Sequence, residues 1–292
     1  MIGLSRGERL FYVLNYIFFC VLCVIMIYPF WYIVMGSLSD PTQTMGGGFF
    51  LKPEGFSLGA YRAVLQNVSI LSGFRVTLIS TLGGALIGTF FTAATAYSIS
   101  KKRLRGRKLF SFLILFTMLF SGGLIPSYLL IKELGMMNTY WALILPNAIG
   151  AWNIFVMLSF FRGIPEELEE AAKIDGASDL RVFFSIVLPL SKPVIATIGL
   201  FISVWYWNEF FSSVIYVTDK DMWQLQMVLK DLISNTSAAI SQAGISISYQ
   251  AEVNEFTVKM ASIVVSSIPI MMVYPFVQKY FNKGAMIGSI KG

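Results

Sequence analysis

Apolar residues in this chain run in long continuous stretches, separated by polar connections, rather than alternating with polar residues. Six stretches are long enough to cross a bilayer as helices: about Phe11 to Gly36, Leu71 to Ser100, Leu109 to Ile131, Tyr140 to Phe161, Pro193 to Val217 and Met260 to Phe281. The absence of strict alternation argues against a β-barrel. The first stretch is too long for a signal-peptide core and lacks a small-residue cleavage site, so it is read as a helix. In the second, Ser80, Gly84, Gly88, Thr92 and Ala96 recur at four-residue steps, a small-residue stripe that lets another helix approach closely. The third holds Gly122, Gly123 and Pro126, and the fourth Pro146 beside Asn147. Such residues break or kink helices; a broken span of the transporter kind and a packing kink are both open here. Two polar connections are long. One is Ser39 to Ile70, with a Gly46-Gly47-Gly48 turn. The other is Thr218 to Lys259, where MWQLQMVLKDLI reads as a short amphipathic helix and SNTSAAISQAGIS as a loop. The expected fold is all-α and polytopic, one transmembrane domain over residues 1–292.

Composition agrees. The chain is 56% hydrophobic and 13% charged, about half the charge of a soluble protein. The net charge of +6 is placed by topology. With the N-terminus inside, 15 of the 22 Lys and Arg residues fall in cytoplasmic segments. That bias gives both termini to the cytoplasm and makes the run KKRLRGRK, from Lys101 to Lys108, a topology anchor ahead of a nucleic-acid patch. Cys20 and Cys23 lie at i, i+3 inside the first stretch and are read as apolar packing, not as a disulfide or metal site. The chain has no histidine, the commonest acid-base residue and metal ligand. No Gly-Lys pair occurs, so there is no Walker A loop, and no cofactor or metal site is expected in this chain.

One polar insert, residues 162–192, departs from this pattern. Six of the 16 acidic residues sit in EELEEAAKIDGASDL, from Glu166 to Leu180. Pro165 suits the first turn of a helix, and the acids after it complement the positive end of the helix dipole. Ala171 and Ala172 offer a face with almost no side chain, Gly176 suits a left-handed helix end, and Ser178 or Asp179 can cap a second helix. Leu180, Phe183, Phe184, Val187 and Leu188 follow the spacing of one apolar stripe. The insert is expected to be a helix-turn-helix knob. Interfacial helices are usually basic on the polar face, so an acidic knob fits a groove in a soluble protein better than a headgroup layer.

Glu170-Ala171-Ala172, three residues, Gly176, nine residues, Ile186, one residue, Leu188-Pro189 resembles the EAA loop of bacterial ABC importer permeases. Asp175-Gly176-Ala177 is the form typical of sugar importers. FSGGLIPSYLLIKELGMMNTYWALILPN, PLSKP, WNEF and GAMIGSIKG extend the likeness over nearly the whole chain. It is similar to the carbohydrate-uptake-type-1 permeases, in the branch for complex oligosaccharides and polysaccharide fragments. The resemblance implies a type I permease fold in the bacterial cytoplasmic membrane. It also implies three partners: a second homologous permease, a cytoplasmic ATPase dimer that binds ATP and Mg, and an extracellular solute-binding protein. Glu170, Ala171, Ala172, Asp175, Gly176, Ala177, Leu188 and Pro189 would contact the ATPase, and the tail from Asn282 to Gly292 would reach toward the ATPase interface.

The fifth stretch offers the substrate pathway. Trp205 and Tyr206 can stack on sugar faces, while Asn208 and Glu209 can bind hydroxyls; the same rings would also suit an interfacial belt. An ionisable residue within a span is a functional candidate by default, and Glu209 is one. Asn147, Trp152 and Asn153 are further candidates in the fourth stretch. The expected activity is import of an oligosaccharide or polysaccharide fragment by alternating access, with ATP hydrolysis supplied by a separate subunit. The alternatives are a same-fold permease for a peptide, amino acid or polyamine, an intramembrane enzyme using Glu209, and a passive channel.

Overall fold

The structure, a computed structural model, describes residues 6–44, 50–234 and 254–289. The Gly46-Gly47-Gly48 turn, nearly all of the loop after the amphipathic helix and the last three residues lie outside the described residues. Among the described residues, three helices are long and apolar enough to cross a membrane: Gly7–Ser37, Val68–Ser100 and Glu255–Val273. Three bent pairs, the last joining Asp179–Leu190 of the insert to Lys192–Asn208, bring the total to as many as six if each is one span, the number that the hydropathy pattern predicts. Residues cluster into two compact units, Met1–Ile70 with Leu229–Ile268, and Leu71–Val228 with Pro269–Gly292.

In the first unit, the helix Arg6–Ser37 leaves most of its apolar side chains, Cys20 and Cys23 included, exposed in the isolated chain. Lipid or a partner must cover such a surface. Its C-terminal end is tied down. Tyr32, Phe50 and Phe256 form a ring cluster with centroids 5.2–6.1 Å apart. The Ser37 and Tyr61 hydroxyls meet at 2.7 Å. Asn254 donates to Pro41 O at 2.7 Å and Thr44 Oγ1 at 2.8 Å.

In the second unit, Val68–Ser100 is an unbroken helix of 33 residues, and its neighbours in sequence are broken. The third span bends by 112° between Arg107–Leu119 and Leu124–Glu133. Gly123 stands in the break at φ +88°, a conformation that disfavours any Cβ. The fourth bends by 53° after a 3₁₀ turn, Leu145–Asn147, that contains Pro146. The glycine and proline signals therefore mark true breaks. The fifth departs from expectation. Its helix, Lys192–Asn208, stops at Glu209, and a short helix, Phe211–Tyr216, follows. No glycine or proline forces this break. Glu209 compensates it by accepting the Ser212 N–H at 2.7 Å, relieving an orphan donor of the new helix.

The small-residue stripe is the packing surface of the second span. Ser80, Thr92 and Ala96 are fully buried. A Cβ on Gly84 would collide with the Tyr206 ring, and one on Gly88 with the Ala148 carbonyl.

Candidate functional site

The knob is built as its sequence predicts at the turn and differently on its flank. The helix Glu166–Ile174 carries Glu166, Glu167 and Glu169 in its first turn and has no fully buried residue. Gly176 follows at φ +81°, and Ser178 caps the next helix by accepting the Arg181 N–H. That helix, Asp179–Leu190, meets Lys192–Asn208 at 84° and passes through a π turn at Phe183–Val187. The π turn alters the buried stripe. Val182, Phe183 and Val187 are buried, whereas Leu180 is 70% and Phe184 52% exposed. The expected stripe is corrected accordingly: an i→i+5 turn aligns Val182 with Val187, a spacing that a 3.6-residue period misses. Of the expected contact residues, Glu170, Ala171, Asp175, Gly176 and Pro189 are exposed, and Ala172, Ala177 and Leu188 are half-buried. Ile174, at 87%, is the most exposed large apolar residue of the knob.

The acids of the knob answer the basic run that precedes the third span. Lys101 pairs with Glu169 and Arg103 with Asp179. Lys102 reaches Glu166 at 2.9 Å and Lys173 reaches Asp179 at 3.5 Å. The hydrogen bond from Arg103 holds the Asp179 carboxyl below its ordinary pKa, and that from Lys102 does the same for Glu166. The Lys101–Glu169 pair is the sheltered one, with side chains 19% and 12% exposed. Lys101 Nζ also sits 4.1 Å from the Tyr97 ring centroid. Beyond the topology anchor expected of it, the basic run makes these pairs, which sequence reading missed. The available signal was two opposite charge clusters assigned to the same side of the membrane.

A second candidate region lies at the breaks of the fourth and fifth spans. Asn147 donates to the Ser212 hydroxyl at 3.3 Å, and Ser212 in turn donates its N–H to Glu209. The structure thus joins Asn147 and Glu209 through one residue. On the helix Lys192–Asn208, Phe201, Trp205 and Asn208 share a face at i, i+4 and i+7. Trp152 packs on Phe201 at 5.7 Å, so Trp152, Trp205 and Asn208 belong to one aromatic-polar surface. Asn153 is half-buried beside Gly150. Tyr206 is corrected: it is fully buried on the opposite face with Ile198 and Ile202, and its hydroxyl donates to Ile144 O at 2.5 Å. It packs the spans together instead of facing a solute.

Sequence reading also missed a buried polar network. Gln224, fully buried, exchanges hydrogen bonds with Ser213 and donates to Ser80 at 3.2 Å, while Thr77 accepts the Leu225 N–H at 2.8 Å. Thr77 and Ser80, at i, i+3 in an apolar helix, were its signal.

Comparison with known proteins covers the whole chain. It is 43% identical over 290 residues to Protein LplC of Bacillus subtilis strain 168, covering 99% of this chain and 97% of the relative. It is 42% identical over 288 residues to the polygalacturonan/rhamnogalacturonan transport system permease protein YtcP of the same organism, covering 98% and 99%. A solved chain of a bacterial ABC transporter involved in import of the acidic polysaccharide alginate superposes with a TM-score of 0.90 at 33% identity, covering 96% of this chain and 100% of that one. Residues 100–286 match the family described as binding-protein-dependent transport system inner membrane component, and the chain belongs to that family, the permeases of ABC importers.

Proposed function

We propose that this chain is the permease through which an oligosaccharide or polysaccharide fragment crosses the cytoplasmic membrane by alternating access. The observation that carries the substrate class is the 42% identity, along nearly the full length, to a permease of a polygalacturonan/rhamnogalacturonan transport system. The face of Trp152, Trp205 and Asn208 suits it: rings stack on the apolar faces of sugars and amides bind their hydroxyls. Asn147 and Glu209 stand at helix breaks, where irregular backbone requires a protein or water lining.

In this reading the knob seats in a cytoplasmic ATPase. Its exposed Ala171 and Gly176, almost without side chains, flank the protruding Ile174, an apolar tip that suits a groove. Glu170, Ala172, Asp175, Ala177, Leu188 and Pro189 frame that contact. ATP and Mg belong to the ATPase dimer; the chain itself binds neither and catalyses nothing. A second homologous permease completes the pathway, an extracellular binding protein delivers the solute, and both termini of this chain face the cytoplasm.

The test is uptake by the complete importer reconstituted in vesicles. Oligogalacturonate, alginate oligomers and a neutral maltodextrin are offered with their rates compared, with and without internal ATP. ATP-dependent uptake of at least one saccharide is expected. Uptake of a peptide or polyamine with none of any saccharide would overturn the substrate class, and saccharide flux without ATP would make the protein a channel.

A further inference from the structure

The acids that frame the knob are held by residues 101–103 of the same chain. Those three consecutive cations follow Ser100, the last residue of the second span. A cation at a helix C-terminus is favoured by the helix dipole. Each of the three pairs with a different acid across the knob: Glu169 and Glu166 on the first knob helix, Asp179 at the start of the second. The attachment is therefore three-point and reaches both knob helices. Its inner pair is sheltered, and Tyr97 beneath it packs on Phe161 at 6.5 Å and on Phe183 at 5.0 Å. The helix so attached runs unbroken from Ser100 back to Gly84, about 24 Å at 1.5 Å per residue. There its glycines lie against Ala148, in the break of the fourth span, and against Ile202 and Tyr206 of the fifth-span helix, which ends at Asn208.

We propose that Lys101, Lys102 and Arg103 clamp the knob to the second span, so that a displacement of the knob is delivered to that helix and along it to the broken spans. These are positioning residues: they touch neither solute nor nucleotide. The inference rests on the reading that an ATPase moves the knob.

The experiment uses the complete importer, with its binding protein loaded with oligogalacturonate, and charge reversals Lys101→Glu and Arg103→Asp, alone and with Glu169→Lys and Asp179→Arg as swapped pairs. One readout is the stimulation of ATP hydrolysis by the loaded binding protein. The other is the distance between spin labels at Glu167→Cys on the knob and Leu78→Cys on the second span, in a background lacking Cys20 and Cys23. With the clamp intact, that distance is the same in the nucleotide-free and ATP-vanadate-trapped states. Each single reversal is expected to leave complex yield and basal hydrolysis unchanged, make the distance nucleotide-dependent, and cut stimulation about 5-fold or more. Each swapped pair is expected to restore both readouts. Reversals that keep the distance fixed and stimulation intact would overturn the clamp, as would swaps that restore neither. The companion variant Gly176→Arg separates the two readings. If it retains stimulation, the coupling reading fails and the clamp with it; if it loses stimulation while the reversals keep it, the clamp alone fails.

Discussion

Replacing Gly84 with alanine places one methyl group where the structure has no room. The new Cβ would stand 2.5 Å from Tyr206 Cδ2 and Cζ and closer still to Cε2. The ring cannot retreat cheaply, because Tyr206 is fully buried and its hydroxyl is held by Ile144 O at 2.5 Å. Overpacking of this kind costs about 1–3 kcal/mol. Loss of the tyrosine hydrogen bond adds about 1 kcal/mol if the ring is displaced. Against this, Gly→Ala in a helix interior gains about 1 kcal/mol of propensity. The net expectation is a loss of about 1–3 kcal/mol, by these same terms. Gly83→Ala is the internal control. Its Cβ would meet only the Ile144 side-chain tip, Cδ1, at 3.0 Å, which can shift. The propensity gain then makes that variant neutral or slightly more stable. The assay is thermal unfolding of detergent-solubilised protein followed by tryptophan fluorescence, with monodispersity checked after heating. Gly84→Ala should unfold several degrees below wild type, and Tyr206→Leu in the same chain should recover part of the loss. Equal midpoints for Gly83→Ala and Gly84→Ala would refute the packing argument.

Gly176→Arg forces a side chain onto a residue at φ +81° and onto the exposed tip, and should abolish uptake while the chain still inserts, as read by transport beside membrane yield. Gln224→Ala removes the side-chain amide that accepts from Ser213 and donates to Ser80 in a buried site, and should cost about 1–3 kcal/mol in unfolding free energy. The Asp179 carboxyl is held below its ordinary pKa by Arg103. Its contribution is therefore present above the unfolded pKa of about 3.9 and lost as pH falls through the lower folded value. Wild type should exceed Asp179→Asn by a constant margin between pH 5 and pH 8. That margin should stay under about 1 kcal/mol, because the pair is half exposed, and should shrink in acid unfolding curves as pH falls below about 4.

Much of the architecture was legible because membrane helices obey a one-dimensional rule: length and hydropathy decide them. The sites of the bends at Gly123 and Pro146 were visible too, since glycine and proline act through the backbone, though the sequence left a break and a packing kink both open there. The break at Glu209 was not. It follows from a side chain accepting a backbone N–H three residues on, and nothing in the local pattern distinguishes that glutamate from one facing water. The aromatic cluster shows the same limit. Trp205 and Tyr206 are adjacent, so on a helix they cannot share a face, yet the pattern does not say which of them turns inward. The structure decides it through Gly84 in a distant span, where only a glycine admits the Tyr206 ring. The pairing of Lys101, Lys102 and Arg103 with the knob was hidden for a related reason. Charge counting assigns a side of the membrane, but a contact between residues 101 and 169 is a tertiary fact.

The contrast between the second span and its neighbours carries a mechanical consequence. Helix breaks are compliant, because the hydrogen-bond ladder is interrupted and a few dihedrals can absorb a change of angle. An uninterrupted helix resists bending. Here the third, fourth and fifth spans are each interrupted, while the 33-residue second span, free of proline, packs against the break of the fourth at Ala148 and against the fifth-span helix at Ile202 and Tyr206. Under the proposed clamp, a push applied at Lys101 would be taken up where the ladder is open, at residues 148–150 and at Glu209–Phe210, and not within the stiff helix. Glu209 lies in the second of these breaks, and Asn147 and Ser212 flank them. On the proposed coupling, a displacement of the knob would therefore be absorbed beside these polar residues and not within the second span.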